Sequence, residues 1–114
     1  MTDCLFCRIA SGEIPADIIA RSDRALAFRD IEPQAPVHVL VIPIEHYDDV
    51  PSVADADPAL AGEMLGLAAD VARQEGVEAS GHRLVANTGE EGGQSVPHAH
   101  MHVLGGRALG WPPG

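Results

Sequence analysis

The sequence has no lysine. Its seven basic residues are all arginines, scattered at 8, 21, 24, 29, 73, 83 and 107, against 17 acidic residues. Surfaces that bind polyanions carry a basic stripe. None is present and the formal net charge is -10, so neither nucleic acid nor an anionic membrane is expected as a partner. One phosphate on a small ligand stays open, because backbone amides and imidazoles bind it without a basic patch. Aromatic residues make up only 4%, which leaves the core to Ala, Val, Leu and Ile. No run approaches the roughly 20 apolar residues of a membrane span. Met1-Thr2-Asp3-Cys4 shows no basic segment followed by an apolar one, so no secretory leader is visible and the expected location is cytoplasmic. Internal repeats, linkers and low-complexity tracts are absent too.

What remains is 114 residues, 46% hydrophobic and 21% charged, the balance of one globular domain over 1–114. A short helical turn closed by Gly12 follows Cys4-Leu5-Phe6-Cys7. Residues 17–21 and 24–30 read as strands, and Pro33 turns the chain after them. Val37-His38-Val39-Leu40-Val41-Ile42, bounded by Pro36 and Pro43, is the best central strand. Residues 44–57 read as a polar loop. Asp57-Pro58 then caps the one long helix, with Leu60, Met64, Leu67, Ala68 and Val71 at helical spacing and Gly76 as its stop. Residues 82–88 and 98–104 are further strands around a Gly-rich loop, 89–95, and the tail to Gly114 is irregular. The fold class is α+β, with mostly antiparallel strands and the long helix on one face.

His98, His100 and His102 carry the sharpest chemical signal. On a strand, alternate side chains share a face, so the three imidazoles would lie together, with Ala99, Met101 and Val103 under the long helix. An imidazole is a good nucleophile toward phosphorus, and a covalent phospho-His divides a hard displacement into two steps. A second imidazole can polarise a phosphoryl oxygen, and Ser95 can serve the leaving group. A three-His metal site and a solvated polar face are the alternatives. Cys4-x-x-Cys7 admits a redox pair, a disulfide or half of a zinc site. The zinc reading fits best and needs two more ligands, for which His46 and His98 are the candidates. His82 matches no motif.

His98-Ala-His100-Met-His102-Val-Leu104 resembles the histidine-triad (HIT) motif. Gly92-Gly93-Gln94-Ser95-Val96, Leu104-Gly105-Gly106-Arg107, the segment Phe28 to His38 and the terminal Trp111-Pro112-Pro113-Gly114 resemble the Hint branch of that superfamily. The resemblance spans essentially the whole chain. It implies a five-stranded antiparallel sheet with a long and a short N-terminal helix, joined in a homodimer into ten strands. It implies hydrolysis of purine nucleoside 5'-phosphoramidates and aminoacyl-adenylates, with release of AMP or GMP. By matching positions, His100 is the nucleophile, His102 contacts the α-phosphate, His98 orients His100 and His38 supports the relay. Ser95 serves the leaving group, while Asn87 and the amides of Gly93, Gln94 and Ser95 hold the phosphate. Asp30 binds the ribose, and Leu5, Phe6, Ile9, Phe28 and Ile31 line the base pocket. Cys4, Cys7, His46 and His98 resemble the zinc-binding type of the superfamily, with zinc in a structural role. The long helix and the 82–88 strand are expected at the two-fold contact, on the argument that Leu60, Met64, Leu67 and Val71 exceed what one thin sheet covers. Trp111 would reach the partner's site. The alternatives are a nucleotide-binding regulatory protein with incidental turnover, and a dinucleoside polyphosphate hydrolase of the Fhit type.

Overall fold

In the computed structural model, residues 3–114 are described; Met1 and Thr2, the start of the segment read for a leader, lie outside them. Five strands form one antiparallel sheet in the order β1-β2-β3-β5-β4: β1 Ile18–Arg21, β2 Ala25–Arg29, β3 Val37–Pro43, β4 His82–Val85 and β5 Met101–Gly105. Three helices accompany it: α1 Leu5–Ala10, α2 Val50–Ala56 and α3 Pro58–Gln74. The five-stranded α+β expectation holds. No helix of the described residues is long and apolar enough to cross a membrane.

The sheet is covered differently on its two faces, and strand alternation decides which residue goes where. Ala25, Ala27, Val39, Val41, Met101 and Val103 face α3, where Leu60, Met64, Leu67, Ala68 and Val71 complete the larger core. Leu26, Phe28, Leu40 and Ile42 face the other way and pack on Phe6 and Ile9 of α1. Burial on both faces explains why β3 is almost wholly apolar. Because α1 is only 6 residues long, it covers part of its face and leaves the rest as a cleft.

Three expectations need correction. Residues 44–57 contain α2, capped by Asp49, whose carboxylate accepts from the Ser52 N–H at 2.9 Å. Pro51 was a loop signal in the sequence but sits in the first helical turn, where its missing N–H costs nothing. β4 ends at Val85, not at 88, and β5 runs from Met101 to Gly105, so His98 and His100 precede it. Outside the ladder, the Ala99 N–H donates to the Tyr47 carbonyl at 2.7 Å and anchors this segment. Leu60, Met64, Leu67 and Val71 are all buried within this one chain, so they are not left over for a partner.

Candidate active site and metal cluster

The partly covered face holds a cleft of about 890 Å³. Leu5, Phe6 and Ile9 of α1 form one wall with Phe28 and Leu40, and Asp30, Ile31, Glu32 and Gln34 of the β2–β3 loop form the other. His38, His100, His102 and Ser95 lie on its lining. The lining is mostly apolar with a few convergent polar groups, the usual make-up of a small-molecule site. Ile31 is 94% exposed at the mouth.

Sheet register brings the histidines together. Leu40 of β3 lies opposite His102, and His38 opposite Leu104, so His38 and His102 are diagonal neighbours on one face. Nε2 of His38 stands 2.8 Å from Nδ1 of His102. The hydrogen bonds set each tautomer in turn. The Gln34 N–H donates to Nδ1 of His38 at 3.0 Å, so Nε2 of neutral His38 carries the proton. That N–H donates to Nδ1 of His102, and the Asp30 carboxylate lies 3.4 Å from the His38 Nε2 that carries it. Neutral His102 then holds its proton on Nε2. His100 is set by a different partner: its Nδ1–H donates to the His98 carbonyl at 2.7 Å. Nε2 of His100 is left as the basic nitrogen.

Burial favours the neutral form of His102 and of His38. It pushes His102 down to about 4, reinforced by the imidazoles of His100 and His38. It also lowers His38, against the attraction of Asp30. Phe6 presents its ring edge-to-face to His100 and His98, with centroids 5.1 and 5.9 Å apart. The short helix therefore shapes both the apolar wall and the histidine row.

The imidazole of His98 leaves this row. It is fully buried, and its Nε2–H donates to the Pro43 carbonyl at 2.9 Å. Its Nδ1 faces Cys4 Sγ at 3.3 Å, Cys7 Sγ at 3.4 Å and His46 Nδ1 at 3.2 Å. His46 Nδ1 is 3.3 Å from Cys7 Sγ, and its Nε2–H donates to Asp48 at 3.1 Å. The four ligand atoms lie within 4.8 Å of one another and could hold a metal. A tetrahedral N₂S₂ site has edges of about 3.3–3.8 Å, close to these separations. Each imidazole gives its distal N–H to a carbonyl or carboxylate, as metal-bound histidines do. Burial and Cys4 push the Cys7 thiol up to about 11; a bound cation reverses that preference.

Several expected ligand residues lie elsewhere. Asn87, Gly93, Gln94 and Trp111 are not on the cleft lining of this chain. The Gln94 side chain is a fastener: its amide donates to the Asp48 and Val96 carbonyls and its Oε1 accepts from the Gly89 N–H. Gly92 is required by packing, since a Cβ there would stand 2.3 Å from the Thr88 carbonyl oxygen. Trp111 is 84% exposed. Sequence reasoning missed Gln34, Pro43 and Asp48. Gln34 and Pro43 act through main-chain atoms, which no side-chain pattern reveals; the His46-x-Asp48 spacing was a readable sign.

Fold and histidine row together define a class. The HIT domain model matches residues 11–109, and the chain belongs to that family. The purine nucleoside phosphoramidase of Escherichia coli is 46% identical over 108 residues, 95% of this chain and 91% of its own. A HIT-like protein of Synechococcus elongatus is 49% identical over 112 residues, covering 98% and 97%. Among solved structures, a HIT family hydrolase from Legionella pneumophila superposes with a TM-score of 0.94 at 49% identity, over 98% of this chain and all of that one. At this level the chain is a HIT family hydrolase.

Proposed function

We propose that the protein hydrolyses purine nucleoside 5'-phosphoramidates and related adenylates through a covalent nucleotidyl-histidine, releasing the nucleoside monophosphate. The observation that carries this reading is the tautomer of His100, whose Nδ1–H is held by the His98 carbonyl. Attack by Nε2 on the α-phosphorus forms the N–P bond as the P–N bond to the amine breaks. The His98 carbonyl supports the positive charge that develops on the ring. The amine leaves with a proton drawn from solvent through the Ser95 hydroxyl. Water then attacks phosphorus and gives up a proton to solvent, the N–P bond breaks, and His100 returns to its neutral form. Nε2–H of His102 donates to a phosphoryl oxygen and stays neutral for that task. Asp30 takes the ribose hydroxyls, and Leu5, Phe6, Ile9, Phe28 and Ile31 take the base. The phosphoramidase named among the relatives supports this choice of substrate. Asn87 and the amides of Gly93 and Gln94 enter only if the loop closes on the phosphate.

Cys4, Cys7, His46 and His98 would hold a zinc ion; its donor set suits zinc, and its chemistry there is structural, tying α1 to the histidine segment. The protein forms a homodimer on this reading. Among the described residues β4 pairs only with β5 and offers an open edge, and its own Leu84 is 41% exposed. Trp111 lies away from its own cleft, as a residue serving a partner's site would. Turnover of adenosine 5'-phosphoramidate beside diadenosine polyphosphate tests the substrate class. Faster release of AMP from the phosphoramidate is expected; preference for the polyphosphate would favour the Fhit-type alternative.

A further inference from the structure

Cys4 and Cys7 do more in this fold than offer ligands. Cys4 is the N-cap of α1 and Cys7 lies in its first turn, with the Cys7 N–H donating to Cys4 Sγ at 3.3 Å. The Arg8 N–H closes the turn on the Cys4 carbonyl at 3.1 Å. One helical turn separates their Cα atoms by about 5 Å, inside the 4.4–6.8 Å range of disulfides. Both residues are partly exposed, so an oxidant can reach them. The same sulfurs join α1 to His46 and His98, which belong to other parts of the chain. α1 in turn carries Leu5, Phe6 and Ile9 of the cleft wall, and Phe6 packs on the ring of His100.

From this arrangement we propose that Cys4 and Cys7 are a reversible thiol switch on the nucleotide cleft, with a hydroperoxide as oxidant. Two thiols and one hydroperoxide give one S–S bond, water and an alcohol. The sulfurs lose two electrons, which break the O–O bond, and the thiol protons end on the oxygens. Where a cation has replaced those protons, two are taken from solvent and the cation leaves. A sulfur in a disulfide is no longer a thiolate ligand, so the link from α1 to His46 and His98 is cut. The packing of Phe6 and Ile9 on Leu26, Phe28, Leu40 and Ile42 remains. The helix therefore loosens without the domain unfolding, and the wall for the base loses definition. The consequence for ligand binding rests on the nucleotide reading above; the chemistry at the sulfurs does not.

The test uses the full-length, zinc-supplemented protein with hydrogen peroxide as oxidant and AMP as the binding probe. Intact mass, zinc release to a chromogenic chelator, amide exchange over residues 5–10 and AMP affinity by calorimetry are followed together. The expected result is loss of two hydrogens per chain, release of zinc, faster exchange in α1 and AMP affinity lower by about tenfold. A dithiol reductant plus zinc restores all four. Cys7→Ser forms no intrachain disulfide, and its AMP affinity does not change with peroxide. A disulfide that leaves α1 exchange and AMP affinity unchanged overturns the switch, as does oxidation to sulfinic acid or to cross-linked chains. If reduced protein holds no zinc, the metal reading fails, and the switch is judged on the disulfide and exchange. If reduced protein binds no AMP, the nucleotide reading fails, and mass and exchange still decide the switch.

Discussion

His100 and His102 are adjacent imidazoles on one face, yet they hold opposite tautomers. The carbonyl of His98 takes Nδ1–H of His100, while the N–H of His38 fills Nδ1 of His102. One ring is left basic toward the cleft and the other acidic. Replacing His100 by Ala should lower phosphoramidate turnover by roughly 10³-fold or more, with AMP affinity within a few-fold of wild type in calorimetry. Near-native turnover would remove the covalent assignment. The low pKa values of His102 and His38 also bear on stability. Both are depressed below the ordinary 6.5, His102 to about 4, so between about 4 and 6.5 His102 binds more protons in the unfolded chain than in the folded one, and His38 acts in the same direction. Stability therefore rises with pH through that window and is lost on acidification. Urea midpoints at fixed zinc should fall from pH 6.5 to 4, and His102→Gln should flatten the slope. The three histidines were legible as a chemical group in the sequence, but their tautomers were not. These depend on the carbonyls of His98 and Pro43 and the amide of Gln34, which the fold alone aligns.

At the scale of elements, strand alternation and helical periodicity located β2, β3 and α3 well, because their apolar residues must face a core. α2 escaped notice because it is 7 residues long with one buried side chain, Val53, too few for a period. The β5 segment was legible as an alternating run, although ladder pairing begins only at Met101. Capping serves the long helix α3 as well as the short ones. Asp57 accepts from the Leu60 N–H at 3.1 Å and pairs with Arg24 at 2.8 Å. Asp57→Ala should cost about 0.5–2 kcal/mol, read as a lower denaturant midpoint at unchanged cooperativity. In the Gly-rich loop, Gly92→Ala forces the new Cβ against the backbone of Thr88. The loop carrying Ser95 must shift, and turnover should fall more than AMP affinity does. Equal losses in both would place the strain elsewhere.

For the whole molecule, the sheet order leaves β4 at an edge and puts the cleft on the face that α1 covers only in part. A second copy at β4 would satisfy its open backbone groups. Light scattering at micromolar concentration should give about twice 12.0 kDa. Deleting residues 108–114 should change the preference among amine leaving groups more than it changes the melting temperature. Trp111 stood out in the sequence only as the single Trp of a tail too short to fold alone. Its position outside its own cleft agrees with a role across the dimer, which light scattering and the truncation test together.

The proposed reaction turns on a covalent bond between Nε2 of His100 and the α-phosphorus. Rapid quench into base during turnover of adenosine 5'-phosphoramidate, followed by peptide mass mapping, tests it most directly, since phosphoimidazoles survive base. The expected result is an adenylyl group on His100 that forms and decays at rates consistent with turnover. Turnover with no adduct, or with the adduct on His38 or His102, would contradict it.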